Sequence, residues 1–341
     1  MTAFLFSDPK QQLLPGAENL FKALLFVTLM LASFYATHRI AAVLDVSTAL
    51  PAGAARVLKW GVILLAAVVN GMLMLAMAVL AHDAIHRVLF RSAFWNELIG
   101  GVLSALALIP FYANRQFHLT HHGYAHQPGH DPENVTQEPS FLFAVTLGPF
   151  VALKEQYRIF FTNLRRVGDR RYTSRFVKDA GFVGFAAVVY FVLVPALGIS
   201  PSITVVPMIL LFPMVFAFRA LSDHYGIPAI VLAPKKREDI LDADAATWHT
   251  DHERRQREIS GWVILTTPWL EWLWSHVNYH EVHHKYPYLS HRYLPQAFAA
   301  TRAQHPYLVV HGYWRSLLNL RQRRYYATPE DVRAFLSGPG R

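Results

Sequence analysis

The chain has 341 residues, of which 53% are hydrophobic and only 16% are charged, and its formal net charge is +9. A charged share below the usual value of about 25% is typical of a membrane protein and argues against a soluble enzyme. Cysteine is absent, which excludes disulfide bonds, iron–sulfur clusters and thiolate zinc sites, so nitrogen and oxygen must supply any metal ligands. In so apolar a chain, the positive charge favours an anionic lipid surface and not nucleic acid.

The first half of the chain predicts two membrane spans after a polar lead at residues 1–20. The apolar segments at about 23–44 and 60–81 are long enough to cross a hydrocarbon layer of roughly 30 Å. The N-terminus has no basic region followed by a cleavage site, so we expect no signal peptide. The apolar runs at 99–112 and 141–153 are too short to cross. We expect a re-entrant or interfacial helix from the first and an interfacial helix from the second.

The second half of the chain predicts another helical hairpin. Residues 180–218 contain no charged side chain, and a Gly-Ile-Ser-Pro sequence at 198–201 interrupts them. This pattern predicts two further spans, at about 180–199 and 201–218, joined by a tight turn. The predicted fold is therefore an all-α integral membrane protein with four transmembrane helices as two hairpins, interfacial helices and a histidine-rich cap.

We expect a single membrane-bound domain over residues 1–341. Its transmembrane bundle would occupy 20–225, and a cap with a basic tail would occupy 226–341. Basic residues are concentrated on one side of the predicted spans, with eight Lys and Arg in 154–178 and nine from Lys285 onward. The positive-inside rule therefore predicts that the cap and both termini face the cytoplasm.

Three short histidine clusters lie beside apolar segments on that same side. They contain eight of the eighteen histidines, namely His82 and His86, then His118, His121 and His122, and finally His280, His283 and His284. Positions i, i+3 and i+4 share one face of a helix, so each cluster directs its imidazoles the same way. Neutral imidazole binds Fe, Zn, Cu and Ni. Eight such ligands exceed the needs of one tetrahedral ion, which favours a centre of two ions.

A histidine-rich membrane protein that binds or transports metal is the non-enzymatic alternative. A transporter is expected to carry polar or charged groups within its spans, whereas residues 180–218 carry no charge. The histidines also cluster at one face and do not follow a path across the membrane. Both observations favour a catalytic centre.

The three clusters resemble the histidine boxes of the membrane fatty acid desaturase superfamily. His82-Asp-Ala-Ile-His86, His118-Leu-Thr-His-His122 and His280-Glu-Val-His-His284 are similar to its HxxxH, HxxHH and HxxHH boxes. Further similarity lies in Arg219-Ala-Leu-Ser-Asp-His224 and in Asn278-Tyr-His280, and the likeness covers about residues 60–300. Two positions depart from the pattern. Asp223 stands where glutamate is more frequent, and Arg87 stands where a small residue is usual.

The resemblance implies two non-haem iron ions, O₂ as co-substrate, and electrons from an external ferredoxin or from cytochrome b5 with its reductase. Carried over by position, the metal ligands are His82, His86, His118, His121, His122, His224, His280, His283 and His284. Metal-bound histidines usually donate their second N–H to a neighbouring acceptor. Asp83, Asp131, Asp223 and Glu281 are candidates for that role, and Asn278 for holding a metal-bound water.

The implied reaction is hydrogen abstraction from an unactivated C–H bond of a fatty acyl chain, most simply desaturation. The same superfamily contains hydroxylases, carotenoid ketolases and decarboxylases that form a terminal alkene, and these alternatives stay open. Arg87 or Arg115 would suit a free carboxylate, or else lipid phosphate. The remaining histidines fit no box. His126 and His130 are expected at the surface or beside the ligands, and His249, His252, His276 and His291 as ordinary cytoplasmic or interface residues.

Overall fold

The computed structural model describes residues 14–126, 131–133, 140–166, 168–224, 260–305 and 307–320. Its α-helices of six or more residues are α1 (Gly16–Val46), α2 (Ala52–Ile85), α3 (Ala93–Leu106), α4 (Phe111–Tyr124), α5 (Phe141–Thr146), α6 (Gly148–Arg165), α7 (Arg170–Val188), α8 (Val205–His224), α9 (Pro268–Leu273), α10 (His280–Lys285), α11 (Leu294–Thr301) and α12 (Tyr313–Leu320). Short helical turns at 189–196 and at Pro201–Ile203 extend α7 and precede α8. Two strands, β1 (Trp262–Leu265) and β2 (Leu308–His311), are present as well.

The four predicted spans are confirmed by the length and apolar composition of four helices, and each helix is longer than its apolar run. These helices cover Gly16–Val46, Ala52–Ile85, Arg170–Ala196 and Pro201–His224. The first therefore begins inside the segment predicted as a polar lead. Polar residues in the parts of the helices beyond the apolar runs form polar contacts with other residues. Lys22 is buried, with its Nζ 3.4 Å from Ser275 Oγ and 3.7 Å from Glu18 Oε1.

The run at 99–112, predicted as a re-entrant or interfacial helix, contains the junction of two helices. Helices α3 and α4 meet at an angle of 96°. Pro110 has no N–H to continue a helix, and its ring disfavours helical backbone at the preceding residue. Leu108, at the corner, adopts a positive φ of 62°. The hydroxyl of Tyr157 donates to the Leu108 carbonyl at 3.0 Å and holds this corner in place.

The beginning of α4 is capped by a residue from the third span. The Asp179 carboxylate accepts hydrogen bonds from the backbone N–H groups of Tyr112 and Ala113, at 2.8 and 2.9 Å. The first N–H groups of a helix have no partner within the helix, so a carboxylate there is stabilising. This contact ties α4, which carries the second histidine cluster, to α7.

Helix α2 is the central helix and packs against α1, α3 and α8. Its contact with α3 depends on Gly100, where an added Cβ would lie 2.4 Å from Ala84 Cβ and 2.8 Å from Phe111 Cε2. Real Cβ atoms do not approach so closely, so only glycine permits this distance between the two helices. The close packing brings the histidine-bearing end of α2 beside the α3–α4 pair.

The interfacial helix predicted at 141–153 consists of α5 and the first part of α6. Helix α6 continues into the basic stretch and ends at Arg165. It exposes apolar side chains, such as Phe150 and Phe161, together with basic ones, such as Lys154. That combination is typical of a helix lying at a membrane surface.

The residues after the fourth span form a small cap with its own core. Strands β1 and β2 pair in parallel, with Trp262 opposite Leu308. The fold was predicted as all-α, and this small sheet differs from that prediction. Strand β1 packs against α8 and α10, which connects the third histidine cluster to the end of the last span. The predicted boundary at 225–226 lies outside the described residues, so the division into bundle and cap stays a prediction.

Candidate metal centre

The three histidine clusters meet where the spans end. The first lies at the end of α2, the second on α4, and the third forms most of α10. The ring centroid of His82 is 4.4 Å from those of His118 and His283. The first cluster therefore contacts both the second and the third. The last residue of α8, His224, joins them with its ring 4.6 Å from that of His121.

The imidazole nitrogens form two groups, within each of which the ligand atoms lie within 4.8 Å of one another. The groups are His82, His86, His118, His122 and His283, and then His121, His224 and His284. His280 adjoins the second group, because its Nε2 is 2.7 Å from His224 Nε2 and 3.2 Å from His284 Nε2. All nine predicted ligands are therefore brought together, and ligation itself stays a prediction.

The distances between these nitrogens suit a shared ion. Two nitrogens about 2.1 Å from one ion, at tetrahedral or octahedral angles, lie roughly 3.0–3.4 Å apart. The Nε2 atoms of His122 and His283 are 3.2 Å apart. The buried Nε2 atoms of His82 and His121 have no hydrogen-bond partner among the described residues. A bound cation would satisfy both atoms, so the histidines present fit a metal centre.

Two hydrogen bonds orient rings in the second group. His121 Nδ1 donates to the Asp131 carboxylate and lies 3.0 Å from each oxygen. His224 Nδ1 donates to the Ser260 carbonyl oxygen at 2.9 Å. A histidine that donates through Nδ1 keeps the lone pair of Nε2 available for a metal.

Ser260 is a residue that the sequence did not reveal, because a main-chain carbonyl carries no residue-specific signal. Its carbonyl also accepts a hydrogen bond from His126 Nε2 at 2.8 Å. Its N–H and Oγ donate to Glu281 Oε2 at 2.8 and 3.0 Å, and Lys285 Nζ lies 3.0 Å from the other carboxylate oxygen. Ser260 therefore connects the end of α8 to α10, and Glu281 supports the site through Ser260.

The acids predicted to support the other histidines have different contacts. Asp83 Oδ1 lies 3.7 Å from His82 Nδ1, longer than a hydrogen bond. Asp223 pairs with Arg219, and Arg219 Nη2 lies 2.9 Å from His280 Nδ1. Asp223 thus acts on the cluster through an arginine.

Asn278 does not contact a histidine through its amide nitrogen. Nδ2 donates to the Ile264 carbonyl at 2.9 Å and lies 3.1 Å from Glu271 Oε1. The side chain therefore holds β1 and α9 against the beginning of α10. Its predicted role beside a metal-bound water is not tested.

Two histidines outside the boxes are buried and belong to the surroundings of the site. His291, predicted as an ordinary cytoplasmic or interface residue, is buried and bonds to Asp83. His126, expected at the surface or beside the ligands, lies beside them on Ser260. The ring of His276 stacks 6.4 Å from that of His291. His130, His249 and His252 lie outside the described residues.

The family model for fatty acid desaturases matches residues 58–316. This stretch contains all nine predicted metal ligands. The chain belongs to the fatty acid desaturase family. No curated protein matches it. Membership implies oxidoreductase activity on a lipid substrate in a membrane, in agreement with the apolar helices and the histidine groups.

A cavity adjoins the histidines of this desaturase-family chain. We name it the acyl cavity. His82, His118, His224 and His280 form one wall. Most of the remaining lining is apolar and comes from Leu75, Ala78, Val79, Ile109, Phe117, Phe216 and Val277. An apolar pocket that ends at a few convergent polar groups is the usual form of a small-molecule site.

Two histidines of α10 have pKa values that their surroundings lower. Burial lowers the pKa of His280 well below its ordinary value, and the nearby Arg219 guanidinium lowers it further. Burial likewise lowers the pKa of His284, with His224 contributing. Since metals bind the neutral form of imidazole, these lowered pKa values favour the charge state that a metal binds.

Proposed function

We propose that this protein is a membrane-bound non-haem di-iron oxidoreductase that introduces a double bond into a fatty acyl chain. The nine histidines described above would hold two iron ions, with O₂ as co-substrate. When bound, the iron pair supplies the oxidising power needed for an unactivated C–H bond. The support is a donor set of imidazoles in two adjacent groups, in a chain without thiolates.

The observation that carries the choice of an acyl chain is the acyl cavity. Apart from the histidines, seven lining residues are apolar and four are polar or charged, namely Asn114, Glu133, Gln156 and Arg219. The apolar majority suits a hydrocarbon whose C–H bonds must approach the histidines. Ile109, from the corner between α3 and α4, and Phe216 of α8 contribute to its walls. Such residues position a chain by shape and exclude water from the reacting carbon atoms.

The proposed reaction needs electrons and protons from outside the substrate. Desaturation converts –CH₂–CH₂– and O₂ into –CH=CH– and two molecules of water, and it consumes two electrons and two protons. We assign the electrons to an external donor, either a ferredoxin or cytochrome b5 with its reductase. The histidine-orienting contacts of Asp131 and Ser260 would keep the donor nitrogens in place during this exchange.

We further propose that the metal centre and both termini lie on the cytoplasmic side. Consecutive spans alternate in direction, so the ends of α2 and α8 and the beginning of α7 share one side of the bundle. Basic residues such as Arg165, Arg170 and Arg171 are near the beginning of α7. The positive-inside rule assigns such a side to the cytoplasm.

Mass spectrometry of lipids and volatile products tests the reaction. Cells that produce the wild-type protein would be compared with cells that produce the His283→Ala/His284→Ala variant. We expect an internal double bond that only the wild type introduces. A new hydroxyl or ketone would indicate hydroxylation or ketolation in place of desaturation. A terminal alkene one carbon shorter would indicate decarboxylation. Identical products from both proteins would contradict the proposed oxidation.

Iron content tests the ligands independently of turnover. We expect His121→Ala to give a folded protein that holds markedly less iron than the wild type, because it removes one buried donor. His311→Ala, at an exposed histidine at the end of β2, is the matched control and should retain its iron. Wild-type iron content in His121→Ala would contradict the ligand assignment.

A further inference from the structure

A second cavity lies beside α4. Tyr112, Arg115 and Gln116 line it, whereas Phe117 and His118 line the acyl cavity. With about 100° between successive residues, these two sets occupy opposite faces of the helix. The second cavity is therefore separate from the acyl cavity, and we name it the arginine pocket.

The arginine pocket carries an excess of positive charge. Arg87, Arg115 and Arg175 line it, together with one acid, Glu97. Lys178 Nζ lies 2.8 Å from Glu97 Oε2, so this acid is already neutralised by a lysine. Three arginines that line one pocket, from just after α2, from α4 and from α7, are a typical arrangement for binding an oxyanion.

A buried amide adds a fourth donor to the pocket. Gln116 is only 6% exposed, and its Nε2 has no hydrogen-bond partner among the described residues. A buried N–H without an acceptor is destabilising, so such groups are usually satisfied by a ligand or water. Beside three cations, the acceptor that fits is a carboxylate or phosphate oxygen.

The residues around the pocket indicate that it opens at the membrane surface. On α3, immediately before Asn96 and Glu97 of the lining, Phe94 is 63% and Trp95 49% exposed. Aromatic and basic side chains together are characteristic of the level of the lipid head groups. An anion with a hydrocarbon chain could place its charge in the pocket while its chain stays in the bilayer.

We propose that the arginine pocket binds the anionic head group of a membrane amphiphile, the carboxylate of a fatty acid or the phosphate of a phospholipid. The bound oxygens accept hydrogen bonds from Arg87, Arg175 and the Gln116 amide. The site is distinct from the acyl cavity, since a helix about 10 Å in diameter separates them. Binding can be measured without turnover, so this proposal can fail while the proposed oxidation stands, and the reverse.

Equilibrium binding to the full-length protein in phosphatidylcholine nanodiscs tests the proposal. The probes are radiolabelled oleate, phosphatidylglycerol and inorganic phosphate. We expect an amphiphile to bind, and Arg87→Gln and Arg175→Gln each to weaken its binding about tenfold, as is usual for the loss of a charge-assisted hydrogen bond. Gln116→Leu should weaken binding about threefold to tenfold. Preference for oleate or for phosphatidylglycerol would identify the head group.

Arg170→Gln is the matched control, because it removes the same charge from an exposed position on α7 outside the pocket. It should leave binding unchanged within about twofold, as expected for an exposed charge. Circular dichroism and iron content should match the wild type in every variant used. Equal affinity of the wild type and all three pocket variants would overturn the proposal. Equally tight binding of inorganic phosphate and of the amphiphiles would also overturn the proposal, because the pocket would then be a site for free anions only.

Discussion

His291 Nδ1 donates a hydrogen bond to Asp83 Oδ2 at 2.6 Å, and both residues are buried. The main-chain nitrogen of His291 lies 3.4 Å from the same oxygen. Asp83 precedes the end of α2 and neighbours His82, whereas His291 follows the third histidine cluster. The bond therefore fixes the end of one span relative to the cap that carries α10.

We expect His291→Phe to lower iron content several-fold, because the end of α2 loses its attachment to the cap and supporting contacts contribute to metal affinity. His291→Asn should retain most of the iron, since its amide N–H can replace Nδ1 as the donor to Asp83. Iron per protein and the electronic absorption spectrum of the purified variants measure both effects. His311→Phe, at an exposed histidine, is the control. Equal iron loss in the Phe and Asn variants would reject a role for the hydrogen bond.

Asp131→Ala should weaken iron binding about 10–100-fold, the usual effect of removing a carboxylate that supports a metal-bound histidine. Asp131 accepts from His121 Nδ1 and from the main-chain N–H of His126, so its loss frees the His121 ring to rotate. Competition with a chelator measures the affinity. Asp45→Ala removes an exposed acid between the first two spans and should leave the affinity unchanged. An unaltered affinity in Asp131→Ala would show that this carboxylate does not support a metal ligand.

Raising the ionic strength should slow turnover with an acidic ferredoxin. Exposed arginines on α6 and α7, among them Arg165, Arg170 and Arg171, would attract such a donor. The screening length falls from roughly 30 Å at 0.01 M salt to about 10 Å at 0.1 M, and steered association slows on the order of tenfold or more. Initial rates at both salt concentrations measure the effect, with a small uncharged reductant as control. A rate with ferredoxin that does not depend on salt would contradict electrostatic docking.

Acidification should destabilise the protein through His126. Burial lowers the pKa of His126 to about 4, against about 6.5 for histidine in an unfolded chain. Between these values the unfolded chain binds a proton that the folded protein does not, so stability falls as the pH decreases from 6.5 towards 4.

We expect His126→Gln, which keeps a side-chain donor for Ser260, to reduce this loss by up to about 1.4 kcal/mol per pH unit. Chemical unfolding in detergent at pH 6.5 and pH 5 measures the free energy of unfolding of both proteins. His311→Gln, at an exposed histidine at the end of β2, controls for the loss of a titrating group. The same pH dependence in the wild type and in His126→Gln would refute this contribution.

The sequence predicted the spans and the histidine clusters because both depend on short-range patterns. Apolar runs long enough to cross a bilayer indicate α1, α2, α7 and α8, and the spacing of His118, His121 and His122 places them on one helical face. The corner between α3 and α4 was missed, although Pro110 stands at it. A proline indicates that a helix can end there, but it does not determine the angle to the next helix.

The supporting contacts could not be predicted because they join distant parts of the chain. His291 and Asp83 are separated by 208 positions, and no local pattern pairs them. Asp179 caps α4 from another helix, although the sequence presents it only as the last charge before an apolar run. The contacts of Asn278 are also tertiary, and they turn its amide towards β1 and α9.

The Ser260 carbonyl oxygen accepts hydrogen bonds from both His224 and His126, and it belongs to the main chain. Exchanging the Ser260 side chain leaves that oxygen in the polypeptide, so a survey of point variants would underestimate the importance of this position. Only a change that shifts the backbone, such as an insertion before β1, would take the acceptor away. Engineering of this enzyme family therefore has to preserve the path of the chain here as carefully as the histidines themselves.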